Sequence, residues 1–219
     1  MVMATRIEPQ HEKPLLRGVS HEIAAAFAFA GGVALLQMAN GTRGKIAALV
    51  YGASLFALFS ISALYHRPRW SRRIYIFMRR LDHAAIFVLI AGTYTPMCLL
   101  VPSRGGLTML AAVWTGALLG VVFSIVWPRA PKWLNAALYV ALGWMVVPVM
   151  ADLAKALGHL GIGLLTAGGI LYSAGALIYA LRRPDPFPTV FGYHEVFHVL
   201  VIVAAAFHYA AVVSVVGAL

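Results

Sequence analysis

Long apolar runs, separated by short polar connections, fill the chain from residue 20 onward. Each run is close to the about 20 residues that a helix needs to cross a bilayer. The runs are too long, and alternate too little, for the strands of a membrane β-barrel. The pattern therefore predicts an all-α integral membrane protein, with a polar N-terminal tail over 1–19 and a seven-transmembrane helix bundle over 20–219. The seven predicted spans are 20–38, 46–65, 81–101, 107–127, 134–151, 162–181 and 193–216.

The composition agrees with a membrane protein. Hydrophobic residues make up 62% of the chain and charged residues 11%, whereas a soluble domain is typically about half apolar and a quarter charged. The net charge of +10 does not indicate a nucleic-acid partner, because the basic residues fall in the connections, where membrane topology places them. The first nineteen residues lack an apolar core, so we expect no cleavable secretory signal. The single cysteine, Cys98, excludes an intramolecular disulfide.

The distribution of basic residues predicts an orientation. Seven spans place the two termini on opposite sides of the membrane. The N-terminal tail and the second, fourth and sixth connections carry 13 of the 17 Lys and Arg residues. The positive-inside rule then places the N-terminus in the cytosol and the C-terminus outside.

The beginning of the last apolar run carries the most distinctive chemistry. His194 and His198 are four residues apart, so on a helix their rings lie on one face, one turn apart. That spacing suits two imidazoles on one metal ion, and Glu195 completes an H-E-x-x-H pattern. His66 ends the second predicted span and Asp82 opens the third, at the same predicted side. Ionisable groups in spanning helices are costly and usually face a partner inside the bundle, and a shared ion would offset that cost.

These residues lead to a hypothesis of a zinc site. His66, His194 and His198 would be the metal ligands, and Asp82 would act as a general base on the bound water. Ser62 lies one turn before His66, on the same helical face, and would contact the water or a substrate oxygen. Zinc lowers the pKa of a bound water to about 7. Histidine also suits other transition metals, so the ligand types alone leave iron and manganese open.

The remaining histidines have simpler interpretations. A histidine at a membrane interface is often only an amphipathic anchor, and this alternative stays open for His66. We favour the same structural interpretation for His83 and His159, and we interpret His11 and His21 as ordinary surface residues. His208 lies about 15 Å beyond His198 along a helix, too far to share an ion, and we expect it to contact a neighbouring helix or line a cavity.

Three segments together resemble the hemolysin III family. They are 62–66 (SALYH), 80–96 (RLDHAAIFVLIAGTYTP) and 194–201 (HEVFHVLV). These proteins are bacterial relatives of the progestin and adiponectin receptors, in a superfamily that includes alkaline ceramidases. The resemblance implies a seven-helix, multi-pass protein of the bacterial inner membrane with zinc near the cytosolic face. It assigns the family's three histidines to His66, His194 and His198, its aspartate to Asp82 and its serine to Ser62.

The resemblance also implies a function, namely zinc-dependent hydrolysis of a lipid amide or ester, with membrane lipids as partners and a role in lipid homeostasis. Three alternatives remain. An intramembrane protease would need a third carboxylate ligand, and Asp185 lies in a proline-rich loop. A pore-forming cytolysin should carry polar faces along several helices, whereas polarity here is confined to one end. A receptor-like lipid sensor would use the same histidines for structural zinc. Within the hydrolase reading, the resemblance favours Asp82 over Glu195 for the proton transfer.

Overall fold

The computed structural model describes residues 13–101 and 105–217, and the regular elements within these ranges are helices joined by short connections. An isolated bridge between Phe187 and Phe191 is the only β-type pairing in that part of the chain. The predicted all-α class is therefore confirmed. The elements are α1 (Val19–Met38), α2 (Gly41–His66), α3 (Arg72–Leu100), α4 (Gly106–Val126), α5 (Lys132–Gly143), a 3₁₀ helix (Trp144–Val149), α6 (Met150–Leu181) and α7 (Tyr193–Val216).

Six helical stretches of the described chain are long and apolar enough to cross a membrane. One of them, Lys132–Leu181, is 50 residues long and contains both the fifth and the sixth predicted spans. The predicted connection at 158–161 is reduced to a single break at Gly158, whose φ of 66° is a left-handed conformation inside α6. Glycine adopts this conformation without the steric penalty of a Cβ. The number of membrane crossings therefore stays a prediction.

Helix α7 holds a central position in the bundle. Consecutive helices α1 to α4 pack side by side, α5 packs on α6, and α7 contacts α6 as well as α1, α2 and α3. Large apolar side chains cover much of the outside, and Phe27, Leu119 and Val126 are 66–75% exposed. Such an apolar exterior suits a bilayer as the surrounding solvent.

Several chain ends meet at one end of the bundle. Helix α2 ends at His66 and α7 begins at Tyr193. The segment before α1 lies across this end, because the backbone N–H groups of Leu15 and Leu16 donate to the carbonyls of Thr189 and Val190 at 3.0 and 3.1 Å. Part of the predicted N-terminal tail is thus packed against the loop that precedes α7. The convergence brings residues from distant parts of the sequence together.

Candidate metal centre

Three buried histidines form a cluster where α2 ends and α7 begins. His66 is the last residue of α2, and His194 and His198 lie one turn apart near the start of α7. One ring nitrogen from each residue lies within 4.8 Å of the others. The Nε2 atoms of His66 and His194 are 3.1 Å apart. The structure thus brings together the three residues that the sequence proposed as ligands.

The geometry of the cluster fits a transition metal ion. Two nitrogens bound to one tetrahedral zinc at about 2.0–2.1 Å lie roughly 3.3 Å from each other, close to the separation of the His66 and His194 nitrogens. Nδ1 of His198 is buried and has no hydrogen-bond partner in the described chain. Buried polar nitrogens are normally satisfied. Three neutral imidazoles with nitrogens facing one another are a donor set suited to zinc.

Asp82 and Ser62 lie beside the histidines in the wall of the same cavity. Ser62 is buried, one turn before His66 on α2. Its side chain is next to the carboxylate of Asp82 on α3. The structure therefore places a carboxylate and a hydroxyl adjacent to the histidine cluster, as the sequence predicted. This group of five residues is called the histidine end of the cavity: Ser62, His66, Asp82, His194 and His198.

Glu195 is buried, but both its oxygens already have partners. Oε1 forms an ion pair with Arg17. Oε2 accepts a hydrogen bond of 2.8 Å from the backbone N–H of Gly192, as in a capping box at the start of α7. Asp185 likewise accepts from the N–H of Tyr193 at 2.8 Å. Carboxylates at this position satisfy the free N–H groups and the dipole of the helix N-terminus. These two acidic residues therefore have a structural explanation.

The residues before α1 hold this end of the molecule together. Lys13 donates from Nζ to the carbonyls of His66 and Pro68 at 3.2 and 3.1 Å. Burial, and then the positive charges of Arg17 and Arg69, lower the pKa of Lys13. Gly18 has a φ of 80°, and a Cβ there would lie 2.8 Å from Cβ of His66. Glycine thus allows the chain to turn against His66 and direct Arg17 to Glu195.

His21 is buried, so the prediction that it is a surface residue is wrong. Its ring stacks on that of His198, with centroids 3.7 Å apart and planes inclined by 11°. The helix α1 packs against α7, and this contact covers the ring. The sequence did contain a signal, because His21 opens the first apolar run at the same predicted depth as the other histidines.

The other described histidines are not part of the three-residue cluster. His83 bonds the hydroxyl of Tyr139 at 3.0 Å, and His159 is exposed directly after Gly158. Nε2 of His208 donates to the carbonyl of Leu165 at 3.0 Å. His208 both contacts a neighbouring helix and lines the cavity, as the sequence suggested. His11 lies outside the described residues.

A cavity of about 2010 Å³ extends from the histidine end into the bundle. This volume exceeds the about 300–1,000 Å³ of a typical ligand pocket. Its lining residues on α3 recur every three or four positions from Asp82 to Met97, about 22 Å along the helix axis. The wall deeper in the bundle is mainly apolar. This distal end of the cavity is lined by Met97, Cys98, Val146, Val149 and Leu153.

Comparison with known sequences identifies the family. A sequence profile described as "Haemolysin-III related" matches residues 10–209, nearly the whole chain. The chain belongs to the hemolysin III family. The resemblance of the three sequence segments is thereby confirmed. The members of this family are membrane proteins, which agrees with the apolar helices.

Similar proteins come from bacteria and from plants. The chain is 35% identical to "Hemolysin-3" of Bacillus cereus over 210 residues, covering 92% of this chain and 91% of that protein. It is 36% identical to "Hemolysin-3 homolog" of Bacillus subtilis (strain 168), covering 72% and 71%. It is 34% identical to "Heptahelical transmembrane protein ADIPOR2" of Oryza sativa subsp. japonica, covering 75% and 79%. The hemolysin III family thus has relatives among adiponectin receptors.

Proposed function

We propose that the protein is a metal-dependent membrane hydrolase that cleaves an amide or ester bond of a lipid. The observation that carries the proposal is the position of the histidine end. Three imidazoles, a carboxylate and a hydroxyl lie together in a cavity whose wall deeper in the bundle is mainly apolar. A lipid has the same division, with a reactive carbonyl at one end and an acyl chain at the other.

The cofactor that best fits the site is zinc. His66, His194 and His198 would hold it, since they supply three nitrogen donors within 4.8 Å. Three protein ligands leave a fourth position open, as is typical of catalytic zinc. When bound there, zinc supplies Lewis-acid polarisation of a carbonyl oxygen and a more acidic water.

Asp82 is the residue proposed to move the proton. Its carboxylate lines the cavity beside Ser62, whereas the oxygens of Glu195 are held by Arg17 and Gly192. Asp82 would accept a proton from the attacking water and return it to the departing amine or alcohol, which balances the hydrolysis. Ser62 would hold an oxygen of the substrate. The apolar wall orients the acyl chain and keeps bulk water away from the reacting bond.

The proposed topology is seven spans, with the N-terminus in the cytosol and the C-terminus outside, in the bacterial inner membrane. The strong excess of basic residues on one predicted side supports this orientation. The rice relative is named heptahelical, which supports the number of spans. The break at Gly158 is where we propose that the stretch Lys132–Leu181 reverses direction.

The test of the function is hydrolysis by the purified, reconstituted protein. Long-chain amides and esters would be incubated with it, and the released fatty acid measured by mass spectrometry. We expect release that stops on chelation and returns with added zinc. His194→Ala should abolish it, while His159→Ala, which alters an exposed histidine far from the cluster, should retain it. Release that is insensitive to both chelator and His194→Ala would contradict the proposal.

A second candidate is membrane lysis, which the printed name of the Bacillus cereus relative favours. In that case the protein should release a trapped dye from protein-free liposomes, and chelation should not prevent the release. Binding of lipid without either hydrolysis or leakage would instead indicate a sensor with structural zinc.

A further inference from the structure

The entrance to the cavity is strongly basic. Eight Lys and Arg side chains line the cavity, whereas Asp82 is the only carboxylate in its described lining. Two of these cations have carboxylate partners, because Arg17 pairs with Glu195 and Arg67 pairs with Glu22 at 2.9 Å. The others have no such partner within the described ranges. The eight are Lys13, Arg17, Arg67, Arg69, Arg72, Arg79, Arg129 and Lys132.

Two of the unpaired cations stand close to the histidine end. Arg79 lies three residues before Asp82 on α3, and both residues line the cavity. Neighbours at i and i+3 share a helix face. Arg79 is half-buried and donates no hydrogen bond to another described residue. A half-buried guanidinium with five free donors is suited to an anionic ligand.

Lys132 approaches the same region from α5. Its Nζ donates to the hydroxyl of Tyr193 at 2.5 Å and lies 4.9 Å from the centroid of the Tyr179 ring. The Tyr179 ring is itself 5.9 Å from that of His194. The aromatic contacts hold the ammonium in place without neutralising it. Lys132 is thus a fixed positive charge that is separated from His194 of the candidate metal centre by the Tyr179 ring.

Membrane topology does not explain these two positions. A topological cation needs only to remain outside the hydrocarbon, as do Arg73 and Arg183, which are exposed and do not line the cavity. The one carboxylate in the described lining, Asp82, interacts with Arg79 but forms an ion pair with neither cation. Two cations in a cavity wall with a single carboxylate nearby are only partly compensated unless an anion occupies the space beside them. The distal end of the cavity supplies an apolar surface for an acyl chain attached to that anion.

We propose that Arg79 and Lys132 form a subsite for the anionic headgroup of a lipid, of the phosphate type, whose acyl chain extends into the cavity. This inference rests on the proposed function and assigns a substrate class to the same site. Arginine recognises phosphate oxygens through paired N–H groups, and lysine acts as a point charge. The headgroup would bind between the two cations and place the first bonds of the chain near Asp82.

The test compares two probes that differ only in the phosphate. An ether-linked 1-alkyl-glycerol 3-phosphate and the 1-alkyl-glycerol of equal chain length would be titrated into the full chain in neutral detergent by calorimetry. We expect the phosphate probe to bind at least about tenfold more tightly. Arg79→Gln/Lys132→Gln should remove this preference, and Arg79→Lys/Lys132→Arg should keep most of it. The matched control Arg73→Gln/Arg183→Gln removes the same charge from exposed positions and should leave it unchanged.

Two results would overturn the inference. Equal affinity for the two probes would exclude a headgroup subsite, as would an equal loss of preference in both double glutamine variants. An additional titration with inorganic phosphate separates the sources of the anion, because competition by phosphate at the lipid's own concentration would assign the site to a soluble ion. The ether bond cannot be hydrolysed as an ester or amide. Binding is therefore measured independently of turnover. The headgroup subsite and the hydrolase activity can thus be rejected separately.

Discussion

Buried polar side chains have hydrogen-bond partners at one end of the cavity and are not fully hydrogen-bonded in the described chain at the other. At the distal half, His208 has a carbonyl partner on Leu165, and the hydroxyl of Ser173 donates to Gly169 and accepts from Trp144. At the histidine end, ring nitrogens of three imidazoles face one another, and Nδ1 of His198 has no partner in the described chain. Polar groups of the first kind stabilise a helix bundle by themselves. The second arrangement is costly without a bound ion, and this difference supports the proposal that the histidine end is the functional one.

A similar contrast separates the two carboxylates beside the histidines. Glu195 is 2% exposed and holds Arg17 and the N-terminus of α7. Asp82 lines the cavity, with Ser62 beside it. The side-chain contacts therefore favour Asp82 over Glu195 as the proposed base, although Glu195 is the carboxylate next to a histidine in the sequence. The carboxylate adjacent to His194 has a structural partner set, and the one from a different helix is available for chemistry.

The largest expected effect tests the difference between Asp82 and Glu195. Asp82→Asn should lower the hydrolysis rate about 10²–10⁴-fold, because it removes the proposed general base, while the metal content is unchanged. Glu195→Gln keeps an oxygen for the Gly192 N–H and should change the rate only a few-fold. Both would be measured as fatty-acid release per metal-loaded protein. A larger loss of rate in Glu195→Gln than in Asp82→Asn would reverse the assignment.

The structural role of Glu195 predicts a loss of stability instead. Glu195→Gln leaves Arg17 without its buried partner, and breaking such a pair costs about 3 kcal/mol or more. We expect a lower midpoint of thermal unfolding in detergent. Asp185→Asn is the control, since it alters the more exposed cap and should have a smaller effect. An unchanged midpoint in Glu195→Gln would show that the ion pair does not stabilise the fold.

A smaller effect is expected at the distal half of the cavity. His208→Leu removes one neutral hydrogen bond to Leu165 and should lower the unfolding free energy by about 1 kcal/mol. The metal content should remain that of the unaltered protein. Both quantities can be followed on the same preparation, by denaturant unfolding and by elemental analysis. Loss of metal in this variant would place His208 in the site, against the present account.

A comparably small effect is expected for His21. Both of its ring nitrogens are buried without partners in the described structure, so His21→Phe keeps the ring stacked on His198 and removes no hydrogen bond. Metal content should be unchanged and stability should change by less than about 1.5 kcal/mol. His21→Ala, which removes the stack, is the comparison. Loss of metal in His21→Phe would make His21 a ligand.

Local pattern predicted the helical class, most of the helices and the proximity of the three histidines. Apolar runs of helical length and the four-residue spacing of His194 and His198 are features of neighbouring residues. His66 and Asp82 were assigned to the same site because both lie at the same predicted depth in the membrane as His194 and His198. The order of the helices and the depth of each residue in its helix thus bring together residues that are distant in the sequence.

Other features depend on tertiary contacts that no local pattern contains. Arg17 and Glu195 are separated by most of the chain, and their pairing requires the segment before α1 to cross the start of α7. The burial of His21 depends on how α1 packs on α7. The cavity is a volume left unfilled between helices, so it has no sequence signature. The break at Gly158 replaced a predicted loop because helical residues resume directly after it.

The most direct test of the account is the metal content of the purified protein. Elemental mass spectrometry would compare the unaltered chain with His194→Ala/His198→Ala, and with His159→Ala as the control for a histidine outside the cluster. We expect about one zinc per chain in the unaltered protein and in the control, and none in the double variant. Absence of a transition metal from the unaltered protein after supplementation with zinc, or equal metal in all three, would contradict it.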